Sequence, residues 1–156
     1  MPFVKDKLPV RLSDLVFKEV DPASRYSRES INVTPPANSA PVALGTVVFR
    51  AKSELNPYAA YAVLSNSNQL VDTNEFAVVF GDEYGFAESF VPKTVQTNTF
   101  NAVAFIRGQV QLKDYYLRKF AQDANGLNLS DANFNALKSL LKRQGIVVET
   151  TYGDIA

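Results

Sequence analysis

The sequence contains neither cysteine nor histidine. Without cysteine, disulfides, thiolate nucleophiles and thiolate metal sites are excluded. Without histidine, the commonest general base and the commonest transition-metal ligand are missing. The two absences turn the expectation away from an enzyme and away from any cofactor or metal. An excess of one charge is lacking as well. The 16 basic residues are balanced by 16 acidic ones, whereas a general nucleic-acid binder carries a basic surplus. No direct nucleic-acid contact is therefore expected. No apolar run approaches the roughly 20 residues of a membrane-spanning helix, so no membrane partner is expected. The opening Met-Pro-Phe-Val-Lys-Asp-Lys has no apolar h-region, and no secretory signal is expected from it. Glycine is missing from the first 44 residues, while six of the eight prolines (Pro2, Pro9, Pro22, Pro35, Pro36 and Pro41) lie there.

What remains is enough for one domain with an appendage. The 156 residues are 46% apolar and include 11 Phe and 7 Tyr, which supplies a real core. The division falls near residue 40: residues 1–40 read as an extended Pro-rich arm and residues 41–156 as a β-rich domain. Proline fixes φ and removes a backbone donor, so the arm favours extended chain. Val10, Leu12, Leu15, Val16, Phe17 and Val20 are nevertheless too apolar to be left in water. The arm packs on its own domain or on a neighbouring chain. The run from Asp21 to Glu29 reads as a polar linker. Ile31 to Thr34 reads as a short edge strand stopped by Pro35-Pro36.

The domain centres on the stretch from Asn98 to Leu117. Phe100, Ala102, Ala104 and Ile106 point one way, and Val103 and Phe105 the other. Apolar residues on both faces mark a central, doubly covered strand. Arg107-Gly108 interrupts the alternation; a glycine there marks a bulge, a bend or a close backbone approach. Val110 and Leu112 then resume the period of two. Further strands are expected over Gly45–Ala51, Glu75–Gly81, Phe86–Val91 and Ile146–Tyr152, with loops at Asn56-Pro57, Ser65–Asn68 and Gly81–Gly85; Ala59–Leu64 fits strand or helix, its length and Tyr61 and Val63 favouring strand. A short helix is expected over Asp114–Ala121, carrying Leu117 and Phe120 inward. A longer one is expected over Asp131–Gln144. Ser130 is its N-cap, Asp131 suits the positive end of its dipole, and Gly145 follows its end. Phe134, Leu137, Leu140 and Leu141 form its apolar face, with Lys138, Lys142 and Arg143 opposite. The class is α+β: a small β-rich barrel or sandwich with one helix in the C-terminal half and an extended N-terminal arm.

Residues of chemical interest form no recognisable constellation. Glu75, Asp82, Glu83 and Glu88 offer an oxygen-ligand cation site, but they lack EF-hand spacing and read as solvated acids around a turn. The run Phe105-Ile-Arg-Gly-Gln-Val is similar to the basic-aromatic strands of single-strand binders, although its aromatics fit a core equally well. The basic helix face reads as a solvated face. Tyr115 and Tyr116 read either as an interface anchor or as a half-buried pair beside the core.

The order of these elements resembles a known family. It runs from a Pro-rich arm through Gly45-Thr-Val-Val-Phe, Tyr61-Ala-Val-Leu and a strand ending in Gly81-Asp82. Ala102-Val-Ala-Phe-Ile-Arg-Gly-Gln-Val, Lys113-Asp-Tyr-Tyr-Leu and a Leu-rich helix leading into Gly145-Ile-Val-Val follow. Over roughly residues 40–150 this resembles the head decoration (capsid cement) proteins of tailed bacteriophages, of the lambda head decoration type. The chain departs from the family in its long segment between Leu117 and Gly145 and in its long, apolar arm. The resemblance implies a β-tulip-like domain in a structural virion protein. Such a protein is made in the host cytoplasm and binds the outer capsid surface. There it stabilises the expanded head against the pressure of packaged DNA. The implied partners are the major capsid protein and the chain itself, as a homotrimer or, alternatively, a dimer. The arm would engage the capsid protein by strand addition, with Val10, Leu12, Leu15, Phe17 and Val20 as contacts. Arg107, Tyr115 and Tyr116 are the further interface candidates. The alternatives are another virion assembly component (a tail, neck or baseplate adaptor) and a single-stranded nucleic-acid-binding module.

Overall fold

Alternating side chains along three neighbouring strands sort the apolar residues into two cores, one on each face of a curved sheet. The computed structural model describes residues 15–20, 23–24, 26–36, 42, 44–82, 98–115, 117–118 and 129–150. The strands are β1 (Val16–Glu19), β2 (Arg28–Thr34), β3 (Val47–Ala51), β4 (Tyr61–Val63), β5 (Asn74–Asp82), β6 (Phe100–Phe105), β7 (Val110–Lys113) and β8 (Ile146–Glu149). The helix α1 spans Asp131–Arg143. The class is α+β and β-rich: a closed barrel in the order β2-β4-β3-β5-β6, a second sheet in the order β1-β7-β8, and the helix.

The barrel interior is filled by Ile31, Val33, Val48, Tyr61, Val63, Ala77, Val79, Ala102 and Ala104. Most of these are small, as a barrel of only five strands requires, because barrel diameter grows with strand number. The alternate residues Val47, Phe76, Val78, Phe80 and Phe105 face outward into a larger core. There they meet Leu15, Val110, Leu112, Leu117, the α1 residues Phe134, Leu137, Leu140 and Leu141, and Ile146. Phe80 and Phe105 stack with ring centroids 4.7 Å apart. The strand β6 is thus covered on both faces, Ala102 and Ala104 inward and Phe105 outward, as the alternation predicts.

The helix begins and ends where its caps place it. The Ser130 Oγ accepts the Asn133 N–H (3.2 Å), and the Gly145 N–H donates to the Lys142 carbonyl (2.9 Å). Gly145 has φ +83°, the left-handed conformation that glycine adopts without strain. The chain then enters β8, which runs parallel to β7.

The expected edge strand needs correction, and the described part of the arm packs on its own domain, one of the two alternatives. The strand holding Ile31–Thr34 is not an edge strand as a whole, since it closes the barrel between β6 and β4, although among the described residues Arg28–Asn32 pairs with β6 alone. Strand β2 begins at Arg28, pairs antiparallel with β6 from Arg28 to Val33, and pairs parallel with β4 at Val33 and Thr34. The described part of the stretch expected as an arm is therefore woven into the fold. Val16–Glu19 joins the second sheet and Arg28–Thr34 is a stave of the barrel. The prolines Pro35 and Pro36 did not prevent this, because they fall just after β2. The loop expected at Ser65–Asn68 contains a 3₁₀ turn, Ser67–Gln69, held by a capping box from Asn66. Asp114, Tyr115, Leu117 and Arg118 are helical. The rest of that expected helix and the strand expected at Phe86–Val91 lie outside the described residues.

Candidate functional site

The strand β1 is fixed to the barrel by a buried ion pair. The Glu19 side chain is 5% exposed. It receives the Arg28 guanidinium through Nε (2.9 Å to Oε1) and Nη2 (2.5 Å to Oε2), and the Ser27 hydroxyl at 2.6 Å. Arg28 in turn lies over the Phe80 ring, 4.7 Å from its centroid. A bidentate guanidinium–carboxylate pair is both stronger and more directional than a single ionic bond. Leu15, immediately before β1, is fully buried in the larger core. This removes Leu15 from the expected partner contacts, because its side chain is consumed by the chain's own core.

The outward side of β1 is different. Its pairing with β7 shifts register between Val16 and Lys18, leaving Phe17 as the extra residue of a bulge. Bulges re-aim side chains, and Phe17 is 64% exposed. Val20 follows at 55% and Tyr26 at 64%. Val20 and Tyr26 line one cleft of about 480 Å³ together with Ser24, Ser27, Gly108 and Gln109. The Val20 N–H donates to the Gln109 carbonyl at 3.1 Å, so the end of β1 is tied to the turn between β6 and β7. Arg107 closes this cluster. Its guanidinium lies 5.2 Å from the Tyr26 ring, donates to the Tyr26 carbonyl (2.7 Å) and pairs with Glu29 (2.6 Å).

A second cleft, about 350 Å³, lies on the far side of Glu29, between β2 and the segment 57–61. Two of its lining residues, Arg50 and Tyr61, belong to a polar cluster with Glu75. Arg50 pairs with Glu75 (2.6 Å), and the Tyr61 hydroxyl donates to the Glu75 Oε1 at 3.3 Å. The Arg50 guanidinium stacks 4.5 Å from the Tyr61 ring. Burial, seconded by the negative charge of Glu75, pushes the Tyr61 phenol from 10.0 up to about 12. Glu75 is thus engaged by Arg50 and Tyr61. The Asp82 side chain, Glu83 and Glu88, its companions in the cation-site reading, lie outside the described residues. Among the described residues no acidic group forms a metal-binding set, and no helix is long and apolar enough to cross a membrane.

The fold brings together three of the expected contact residues. Phe17 lies in β1 and Val20 directly follows its end; Val20 shares a cleft with Tyr26, which Arg107 holds. Tyr115, 40% exposed on the helical turn after β7, lines neither cleft. Val10, Leu12 and Tyr116 lie outside the described residues. Tyr26 and Glu29 were hidden in a run that reads as a polar linker; an aromatic ring within that run was the only signal. Comparison with known proteins finds no matching family model, no matching curated protein and no matching solved structure.

Proposed function

We propose that this chain is a structural virion protein, a head decoration protein that binds the outer surface of a phage capsid and stabilises the expanded head. The reading is non-enzymatic, with the major capsid protein as partner and the chain itself as a second, in a homotrimer. One observation carries it beyond the resemblance of element order: Phe17 on the bulge of β1, and Val20 and Tyr26 on one cleft with Arg107 against Tyr26, stay exposed on anchored elements. Exposed apolar side chains grouped at a sheet edge, with an aromatic and an arginine among them, have the composition of a protein contact. Prepaid rigidity favours affinity, since little ordering remains to be done on binding. A ligand that binds only the assembled shell stabilises it by mass action, and many copies multiply the effect.

The test is the copy number of this chain in purified particles from its source, set against the major capsid protein by quantitative mass spectrometry. A ratio near one per capsid subunit, or a simple fraction of it, is expected. A few to a few dozen copies would move the chain to a tail, neck or baseplate component, and absence from particles would overturn the reading. Deleting residues 1–28 does not serve as a test, because it would remove β1 with Leu15 and Glu19 and so damage the core.

A further inference from the structure

We infer that the open half of β2 is a docking slot for an extended, uncharged segment of the partner protein, which adds to it as a strand. The inference rests on the capsid-binding reading and names the form of the partner. Strand β2 has its β6 neighbour along Arg28–Val33, but among the described residues it meets β4 only at Val33 and Thr34. Beside its first half the barrel has a seam instead of a ladder. The 350 Å³ cleft occupies that seam, and it is lined by four consecutive residues of the strand: Glu29, Ser30, Ile31 and Asn32. A cleft on one face of a strand would touch alternate residues. Contact with consecutive ones brings it along the open backbone edge, and at the Asn32 end it also spreads over the strand to Asn101 of β6.

The opposite wall, residues 57–59, is held by side chains. The Asn32 Nδ2 donates to the Tyr58 carbonyl (2.9 Å), and the Arg50 Nη1 to the Ala59 carbonyl (3.4 Å). Two large apolar residues on the β3–β4 connection are left in water, Leu55 at 92% exposure and Tyr58 at 80%. Tyr58 lines the cleft and Leu55 lies three residues before it in the same connection; such anchors give strand addition its specificity, the backbone edge supplying affinity. The occupant's chemistry follows from the lining. The charges nearby are already paired, Glu29 with Arg107 and Arg50 with Glu75, so a charged segment would gain no partner. A row of backbone groups spaced for a strand matches another extended backbone. Residues 28–32 accommodate about five residues, roughly 16 Å of strand. The segment would run between Tyr58 at one end and the Val20–Tyr26 cleft at the other.

The native chain has no cysteine, so Ser30→Cys places a unique thiol on the exposed edge. Full-length protein is added to heads of the source phage lacking this chain, and binding is measured by co-sedimentation. The unmodified variant is expected to bind like wild type, and the same variant alkylated with a bulky maleimide is expected to bind at least tenfold more weakly. An unchanged thermal midpoint shows that alkylation leaves the fold intact. A second variant, Leu55→Ser with Tyr58→Ser, is expected to lose about tenfold, and amide exchange at residues 28–32 to slow at least tenfold in the bound protein. Full binding by the alkylated protein with unprotected 28–32 amides would overturn the slot. The head-binding reading would survive that result if Phe17→Ser still abolished binding. Wild-type protein that fails to bind heads would overturn both.

Discussion

The backbone of Gly145 occupies the space that a side chain on Gly108 would need. A Cβ on Gly108 would stand 2.4 Å from the Gly145 carbonyl oxygen, and one on Gly145 2.7 Å from the Gly108 Cα. The Gly108 N–H also donates to the Gln144 carbonyl at 2.7 Å. The turn that ends β6 and the exit of α1 therefore meet backbone to backbone, and this contact sets the second sheet against the barrel. Gly108→Ala is expected to lower stability by about 2 kcal/mol, the scale of overpacking against atoms that cannot yield. Gly145→Ala is expected to cost about 1 kcal/mol more, since its left-handed backbone adds a penalty for any Cβ. Urea denaturation of the two variants checks both values.

Gln144 acts as a one-residue extension of the sheet. Its Oε1 accepts the Phe76 N–H (2.8 Å), while its Nε2 donates to the carbonyls of Phe76 (2.7 Å) and Ile106 (2.9 Å). Gln144→Ala leaves three backbone groups to find other partners. At about 1–3 kcal/mol for each group left unsatisfied, with water reaching some of them, a net loss of about 3 kcal/mol is expected. Native-state hydrogen exchange should show the Phe76 amide losing protection first.

Removing Glu19 strands the Arg28 guanidinium between Phe80 and β1. Breaking one side of a buried pair costs about 3–5 kcal/mol in general. Arg28 keeps some access to water, so Glu19→Ala is expected at the low end, about 3 kcal/mol. The discriminating measurement is local: amides of Val16–Glu19 should exchange faster than those of β5 in the variant.

Alkaline pH should weaken the fold through Tyr61. The folded protein holds the phenolic proton more tightly than the unfolded chain, up to about 12 against 10.0. This contribution is intact below the unfolded value and declines as pH rises through that window. Denaturation midpoints measured across the window should fall less steeply for Tyr61→Phe than for wild type. A parallel fall in both would assign the pH dependence to other groups.

Substituting the exposed apolar contacts should separate binding from stability. Phe17→Ser and Val20→Ser are expected to change stability by no more than about 0.5 kcal/mol, as exposed positions usually do. Each is expected to weaken head binding at least tenfold in co-sedimentation. A stability loss above about 2 kcal/mol would instead make them structural residues.

Local physics made much of this chain legible. The apolar face of α1 (Phe134, Leu137, Leu140 and Leu141), its Ser130 cap and its Gly145 exit follow from helical spacing and terminal chemistry. The two-faced alternation of β6 follows from the pleat. Those features depend on residues within a turn or two of each other, so the sequence by itself determined them. The tertiary structure alone decided the rest. Whether Arg28–Thr34 is an edge or a stave depends on β4 and β6, some thirty and seventy residues later in the chain, and no local pattern announces those partners. Leu15 and Phe17 are both apolar residues of one short stretch, yet one is core and the other surface, because a bulge against β7 turns them differently. Gln144 and Glu19 are ordinary polar residues in sequence. Their weight comes from carbonyls, amides and a guanidinium that only the closed barrel brings within hydrogen-bond reach.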